Sequence, residues 1–246
     1  MNVQHSETDV VESELDVEEE KEIEYKEFAS VVVANGSGLV QAFKDAGVDQ
    51  VVSGGQTMNT STEDFINAFE HINAKYILVY PNNSNIKMAA KMAADNYSKA
   101  KVIVIPTKTI AEGLACVSML DTSCGDVDTI YEEQISTLEN ISTIEITYSI
   151  RDCTINDLNI NKGNHIVLYN DELISTNKVR VEAIKDCINK IEDFSEKSVI
   201  TLIYGKNVSS EEIDEVMNYL QEQNRYCEIY PICGNQDIYS YIIGLE

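Results

Sequence analysis

The sequence predicts an α/β protein in two parts, a parallel layer of alternating strands and helices followed by a mixed-sheet α/β unit. Three observations carry this expectation. Short continuous apolar runs recur from Phe28 at intervals of roughly 20–26 residues, each followed by a helical pattern. The runs ending near Val52, Tyr80 and Ile105 all give way to polar loops, rich in amides and hydroxyls, that open helices. From Ile144 the pattern changes to alternation, Ile144-x-Ile146-x-Tyr148-x-Ile150, and turn pairs then break up short strands.

Residues 1–27 read as an acidic linker or tail: residues 1–28 hold eleven Asp and Glu against Lys21 and Lys26, with no apolar face to bury. Residues 28–122 form the first unit. Its strands start near Ala29, Gln50, Tyr76 and Lys101, and their unbroken apolar character suits strands buried on both faces. One helix is marked by Leu39, Val40, Phe43 and Ala46 and stopped by Gly47. The next is marked by Phe65, Ala68, Phe69 and Ile72, with Ser61 as cap and acidic residues in its first turn. The third is marked by Met88, Ala89, Met92 and Ala93, and the fourth by Ile110, Leu114, Val117 and Leu120, with a capping box expected at Thr109-x-x-Glu112. Right-handed crossovers then make this a Rossmann-like layer. Residues 123–246 form the second unit: a helix to Glu139, the alternating strand, and hairpins turning at Asn156-Asp157, Lys162-Gly163 and Asn170-Asp171. A helix over about 179–194, a strand at 199–204, a helix over 209–223 and two closing strands near 226–232 and 238–245 complete it.

The net charge of −24 opposes binding to nucleic acid and to anionic membrane surfaces. No apolar run approaches the roughly 20 residues that span a bilayer, and no signal peptide is present, so a soluble, cytoplasmic protein is expected. Six cysteines show no Cys-x-x-Cys pair, and most are expected as buried free thiols.

In an open parallel sheet, loops at the strand ends lie side by side along one edge, where ligands bind. That edge here offers Gln56, Thr57, Asn59, Thr60, Ser61, Asn82, Asn83, Asn85, Thr107 and Thr109, with Lys108 as its one cation. These are the candidate partner- or ligand-binding residues. Such groups bind by hydrogen bonding; alternatively they only cap helices and fix turns. Asn83, beside a helix start, is expected to serve the loop itself, and Asn59, mid-loop, to face a partner. The segment Asn35-Gly36-Ser37-Gly38 matches the start of a dinucleotide fingerprint, but position 41 is Gln, and an ordinary tight turn fits equally. No phosphate loop occurs, none of His5, His71 and His165 lies in the edge loops, and no metal-ligand spacing is found, so no catalytic residue is assigned.

The three loop motifs, Ser53-Gly54-Gly55-Gln56-Thr57-Met58-Asn59-Thr60-Ser61, Pro81-Asn82-Asn83-Ser84-Asn85 and Val104-Ile105-Pro106-Thr107-Lys108-Thr109, are familiar in this order. So are Ile146-Thr147-Tyr148-Ser149-Ile150-Arg151-Asp152 and Gly234-Asn235-Gln236-Asp237-Ile238-Tyr239. Together they resemble the C-terminal domain of the ATP-binding, dihydroxyacetone-kinase-like subunit of bacterial fatty-acid kinase. The resemblance implies a DegV/dihydroxyacetone-kinase-like α/β fold and a non-catalytic domain. It implies that this domain docks an acyl-loaded fatty-acid-binding protein of DegV type while an N-terminal kinase domain phosphorylates the acyl carboxylate. It further implies that Met1–His5 ends a middle domain, and that ATP and magnesium belong to the missing kinase domain, with no cofactor in this fragment. DegV-type proteins carry a late His-x-Gly-Pro-Gly-like segment where this chain has Cys233-Gly234-Asn235-Gln236. Dihydroxyacetone kinases use a histidine in the first Gly-rich loop, here Asn35–Gly38. The competing readings are a fatty-acid or small-metabolite binding module using the polar edge, and a self-sufficient kinase or phosphatase.

Overall fold

The structure, a computed structural model, describes residues 23–55, 58–155 and 158–246. The first unit is built on four strands, β1 (Lys26–Ala34), β2 (Gln50–Ser53), β3 (Ala74–Tyr80) and β4 (Lys101–Val104), all parallel in the order β2-β1-β3-β4. Between and after them run α1 (Ser37–Asp45), α2 (Thr62–Glu70), α3 (Lys87–Asn96) and α4 (Ile110–Ser118). The strand order reverses direction after β2, so right-handed crossovers must place α1 on one face and α2 and α3 on the other. The cores agree. Phe65, Phe69, Ala90 and Ala93 pack on one face with Val31 and Val33, and Leu39, Phe43, Leu114 and Val117 on the other with Val32 and Leu78.

Next come α5 (Val127–Asn140), β5 (Ser142–Tyr148), a small hairpin of β6 (Cys153–Ile155) and β7 (Leu158–Ile160), then β8 (His165–Tyr169) and β9 (Glu172–Asn177). After α6 (Arg180–Ile188) follow β10 (Val199–Tyr204), α7 (Ser210–Gln223), β11 (Glu228–Cys233) and β12 (Tyr241–Leu245). The second sheet has the order β11-β10-β12-β5-β8-β9; β10 and β11 pair in parallel and the other neighbours antiparallel. The sheet is therefore mixed, and α6 and α7 cover its outer face over Ile144, Ile146, Leu202 and Ile243. Its inner face rests on α1 and α4, because Ile203 and Ile242 share one core with Leu39, Phe43 and Leu114. The two sheets thus sandwich a single helical layer.

Local signals explain many of the boundaries. Ser61 accepts from the Asp64 N–H while the Asp64 carboxylate accepts from the Ser61 N–H, a complete capping box on α2. Thr109 caps α4 by accepting from the Glu112 N–H, but the Glu112 carboxylate accepts from the Lys108 N–H, one residue earlier than a regular box. Asn170 and Asp171 both take positive φ (49° and 67°), the turn geometry that the twist of a two-residue hairpin favours. The Asn156-Asp157 turn lies outside the described residues.

Four expectations are corrected. Met88 and Met92 do not face the core but are 68% and 50% exposed; α3 instead buries Ala90 and Ala93, whose small side chains let the helix sit close to the sheet and to α2. The strand over Ile144–Ile150 is not half-exposed: it ends at Tyr148, and Thr143 to Ile146 are buried in succession because α4 packs on the face that alternation left to solvent. The helix expected to reach Phe194 ends at Ile188, and Phe194 is buried from a separate 3-10 turn. Of the six free cysteines, Cys116, Cys187 and Cys227 are buried, but Cys124 and Cys233 are exposed.

The strand-to-helix turn after β1 touches the second sheet backbone to backbone. A Cβ on Gly38 would fall 1.7 Å from the Cys233 carbonyl oxygen, and one on Gly36 would fall 2.5 Å from that of Gly234. Gly36 also has φ +116°, which side chains resist. The Leu39 N–H donates to the Gly234 carbonyl (3.1 Å) and the Asn235 amide donates to the Ser37 hydroxyl (2.8 Å). Here the fingerprint-like glycines admit a neighbouring main chain. Gly38→Ala should therefore force a main-chain shift and cost about 1–3 kcal/mol, read as a drop of several degrees in Tm; an unchanged melt would refute the close approach.

Candidate functional site

The strand order reverses between β1 and β3, and in doubly wound sheets the crevice opens outside the carboxyl ends of the two strands at that point. A cleft of about 60 Å³ lies there. Its floor is Val33 at the end of β1, Asn35 just after it, and Pro81, Asn82 and Asn83 after β3; its opposite wall comes from the second sheet, with Glu145, Gln236, Tyr239 and Ile242. At roughly 10–15 Å³ per water-sized group it holds about four to six of them. That is far below the roughly 300 Å³ at which pockets for drug-sized ligands begin.

Asn82 organises the floor. It sits at φ +56°, a left-handed conformation that asparagine tolerates better than most residues. Its side-chain amide donates to the Val33 carbonyl (3.0 Å), and its N–H donates to the Thr107 hydroxyl (3.0 Å), so one residue ties together the ends of β1, β3 and β4. Gly113 on α4 makes room for it: a Cβ there would lie 2.0 Å from Asn82 Oδ1. Asn83 accepts through Oδ1 from the Asn85 N–H (2.9 Å), fixing the turn into α3. Thr60 is buried with its hydroxyl over Gly54, where a Cβ would lie 2.0 Å from it.

The edge residues named from the sequence therefore divide. Thr60, Asn82, Asn83, Thr107 and Thr109 are buried, and of these Asn82 and Asn83 line the cleft. Ser61 and Thr109 are helix caps. Asn59, Asn85 and Lys108 are exposed, and Asn59 lines a separate open groove beside α2 with Met58 and His71. Gln56 and Thr57 lie outside the described residues. Among the described residues, no group of three His, Cys, Asp or Glu is placed to hold a metal ion, and no helix is long and apolar enough to cross a membrane. The helix start at α1, where a dinucleotide would need free N–H groups, is filled by the Gly234 carbonyl.

The second wall holds what sequence reasoning missed. Glu145 is 5% exposed on a central strand, and burial pushes its carboxyl up to about 8, with the Asp171 and Glu112 carboxylates adding to the rise and a hydrogen bond to Tyr239 opposing it. Burial, followed by Glu145 itself, likewise raises the Tyr239 hydroxyl. Gln236 is 8% exposed, and neither its amide nitrogen nor its oxygen has a hydrogen-bond partner; Asn83 Nδ2 and Asn82 Oδ1 are also unpartnered. The one local signal was a carboxylate inside an isoleucine-rich strand. Gln236 and Tyr239 join the site through folding over more than 100 residues.

Because Glu145 is harder to ionise when folded, the folded state holds its proton between the unfolded value near 4.5 and about 8. Stability should then fall as pH rises through that window, and Glu145→Gln should remove the fall, melting above the parent at pH 8 and level with it near pH 4.5. Parallel melts that never diverge would disprove a buried neutral carboxyl. Asn83→Ala should cost about 0.5–2 kcal/mol by deleting a turn bond, whereas Asn59→Ala should stay within about 0.5 kcal/mol, as at a surface site; thermal melting of both variants decides.

Residues 29–246 match the profile of the FakA-like C-terminal family, the C-terminal part of a fatty acid kinase component. Protein YloV of Bacillus subtilis is 32% identical over 219 residues, covering 89% of this chain and 39% of that protein. The chain thus spans about two-fifths of the length of the curated relatives it matches. Among solved structures, the DegV family protein Cg2579 from Corynebacterium glutamicum superposes with TM-score 0.66 at 12% identity, over 89% of this chain and 96% of that one. The Fak B3 protein of Streptococcus pneumoniae, loaded with linoleic acid, gives 0.53 at 15% over 76% of each chain. The dihydroxyacetone kinase from C. freundii gives 0.55 at 12% over 88% of this chain and 48% of that one. The fold is thus the DegV and dihydroxyacetone-kinase-like α/β fold, and the chain belongs to the family of FakA-like fatty acid kinase C-terminal domains.

Proposed function

We propose that this domain docks an acyl-loaded fatty-acid-binding protein of DegV type, presenting it to a kinase domain carried upstream in the whole protein. On this reading ATP and magnesium are held by that upstream domain, and the acyl carboxylate is the phosphoryl acceptor. The supporting observation is the pair Met88 and Met92 on α3. They stand one helical turn apart and open to solvent, on the helix that follows the Asn82-Asn83 loop. Methionine is a side chain of adaptable binding surfaces, because its thioether fits many apolar contours. Adjacent exposed apolar residues on one helix face are what a partner surface requires. The cleft does not favour the alternative of an acyl-binding module. At about 60 Å³ it has no space for a long chain, and among the described residues no lysine or arginine lines it to meet a carboxylate.

Calorimetric titration of this chain with an acyl-loaded DegV-type protein tests the reading. Binding should be seen, and Met88→Glu with Met92→Glu should weaken it about tenfold or more while shifting stability by no more than about 0.5 kcal/mol each. Absence of a complex at high-micromolar concentration, or undiminished binding by the double variant, would reject this surface.

A further inference from the structure

We infer that the protein docked on this domain adds an extended segment, free of acidic side chains, as a fifth strand along the open edge of β2. The inference deepens the docking reading above and rests on it. An edge strand leaves a row of N–H and C=O groups unpaired, a template for another chain, and natural sheets blunt such edges. Three of the four edges of the two main sheets are blunted here. β11 carries Pro231, which has no N–H to offer. At β9 the Lys190 ammonium donates to the Ile174 carbonyl (2.8 Å), and β4 opens on Lys101. The fourth edge, β2, reads Gln50-Val51-Val52-Ser53, with neither a charge nor a proline, and among the described residues it pairs with β1 alone. Four residues form only a few ladder bonds, so the groove beside them matters. It encloses about 460 Å³ between β2 and one face of α2. Gln50, Asn59 and Asn67 line it, and among the described residues their side-chain amides have no hydrogen-bond partner. A side-chain amide both donates and accepts, as a peptide group does, so each can bond the main chain of a strand lying in the groove. Met58 and Ala68 offer that strand apolar contact.

Position and charge select the occupant. α2 lies between the groove and α3: it packs on β2 and on α3, and the Thr62 hydroxyl donates to the Ala89 carbonyl (3.5 Å). A partner seated on Met88 and Met92 therefore needs only to reach across one helix to meet β2. The ionisable groups lining the groove are Asp64 and His71, and no lysine or arginine joins them. Bonds from the Ser61 N–H and hydroxyl hold the Asp64 carboxyl below the usual range, so it is ionised at neutral pH. Glu63 and Glu70 are exposed on the same helix. An acidic segment would be repelled there, which disfavours the acid-rich residues 1–28 of this chain as the occupant. A second copy is disfavoured as well, because each carries a net charge of −24.

The test is residue-resolved amide exchange, read by NMR on the isotope-labelled chain, alone and saturated with an acyl-loaded DegV-type protein. In the complex the amides of Gln50–Ser53 that point away from β1 should slow about tenfold or more, whereas those that face β1 are slow already. Asn67→Arg sets a long cation into the groove from an exposed position; it should weaken binding about tenfold or more and leave Tm unchanged. Asn59→Ala, which removes one amide, should weaken binding about two- to tenfold. A complex in which the β2 amides exchange as they do in the free chain, or full-strength binding by folded Asn67→Arg, would overturn strand addition and leave docking through α3 standing. No complex at high-micromolar concentration would reject the docking reading and this inference with it.

Discussion

The arrangement depends on one close approach, the main chain at Gly36 and Gly38 against the main chain at Cys233 and Gly234. Side chains at those glycines would hold the sheets apart. Without them, the Gly234 carbonyl reaches the first turn of α1 and takes the Leu39 N–H. That contact brings Gln236 and Tyr239 over the ends of β1 and β3 and narrows the crevice at the switch point to a cleft. Asn82 holds the other side of the same opening, tying three strand ends with two hydrogen bonds. Hence the floor of the cleft is fixed by a side chain and its roof by backbone. The same contact gives the fingerprint-like loop a structural task that its glycines also explain.

What was legible in the sequence was what the sequence specifies locally. Strands buried on both faces announce themselves as unbroken apolar runs, and β1, with Val31, Val32 and Val33 all buried, is the clearest. The cap at Ser61 and the hairpin at Asn170 and Asp171 are written within four residues, and both stand where they were expected. Errors arose where a second element decides. Alternation assigns Glu145 to solvent, but α4 covers that face, and nothing within several residues of Glu145 signals α4. In α3 the periodicity admits either a methionine or an alanine stripe, and the closeness of α2 and the sheet selects the alanines.

The candidate site was half legible for the same reason. Its floor could be named because loops after parallel strands must share one edge. Along that edge, sequence cannot separate Asn82, which is engaged at both its main chain and its amide nitrogen, from Asn59, which is exposed beside a separate groove, since both are asparagines in polar loops. The wall formed by Glu145, Gln236 and Tyr239 arrives from residues more than 100 positions beyond Val33, and only the packing of one sheet against the other's helices brings it there.

The helical layer shared by both sheets has a consequence for the order of events during synthesis. Helices α1 and α4 are complete once residue 118 has emerged, yet the strands bearing Ile203 and Ile242 that cover their second face come more than 80 residues later. At about 5–20 residues per second the nascent chain therefore carries uncovered apolar helix surface for several seconds. A pause in translation between residues 118 and 203 would lengthen that exposure, and with it the interval in which the uncovered surface can aggregate.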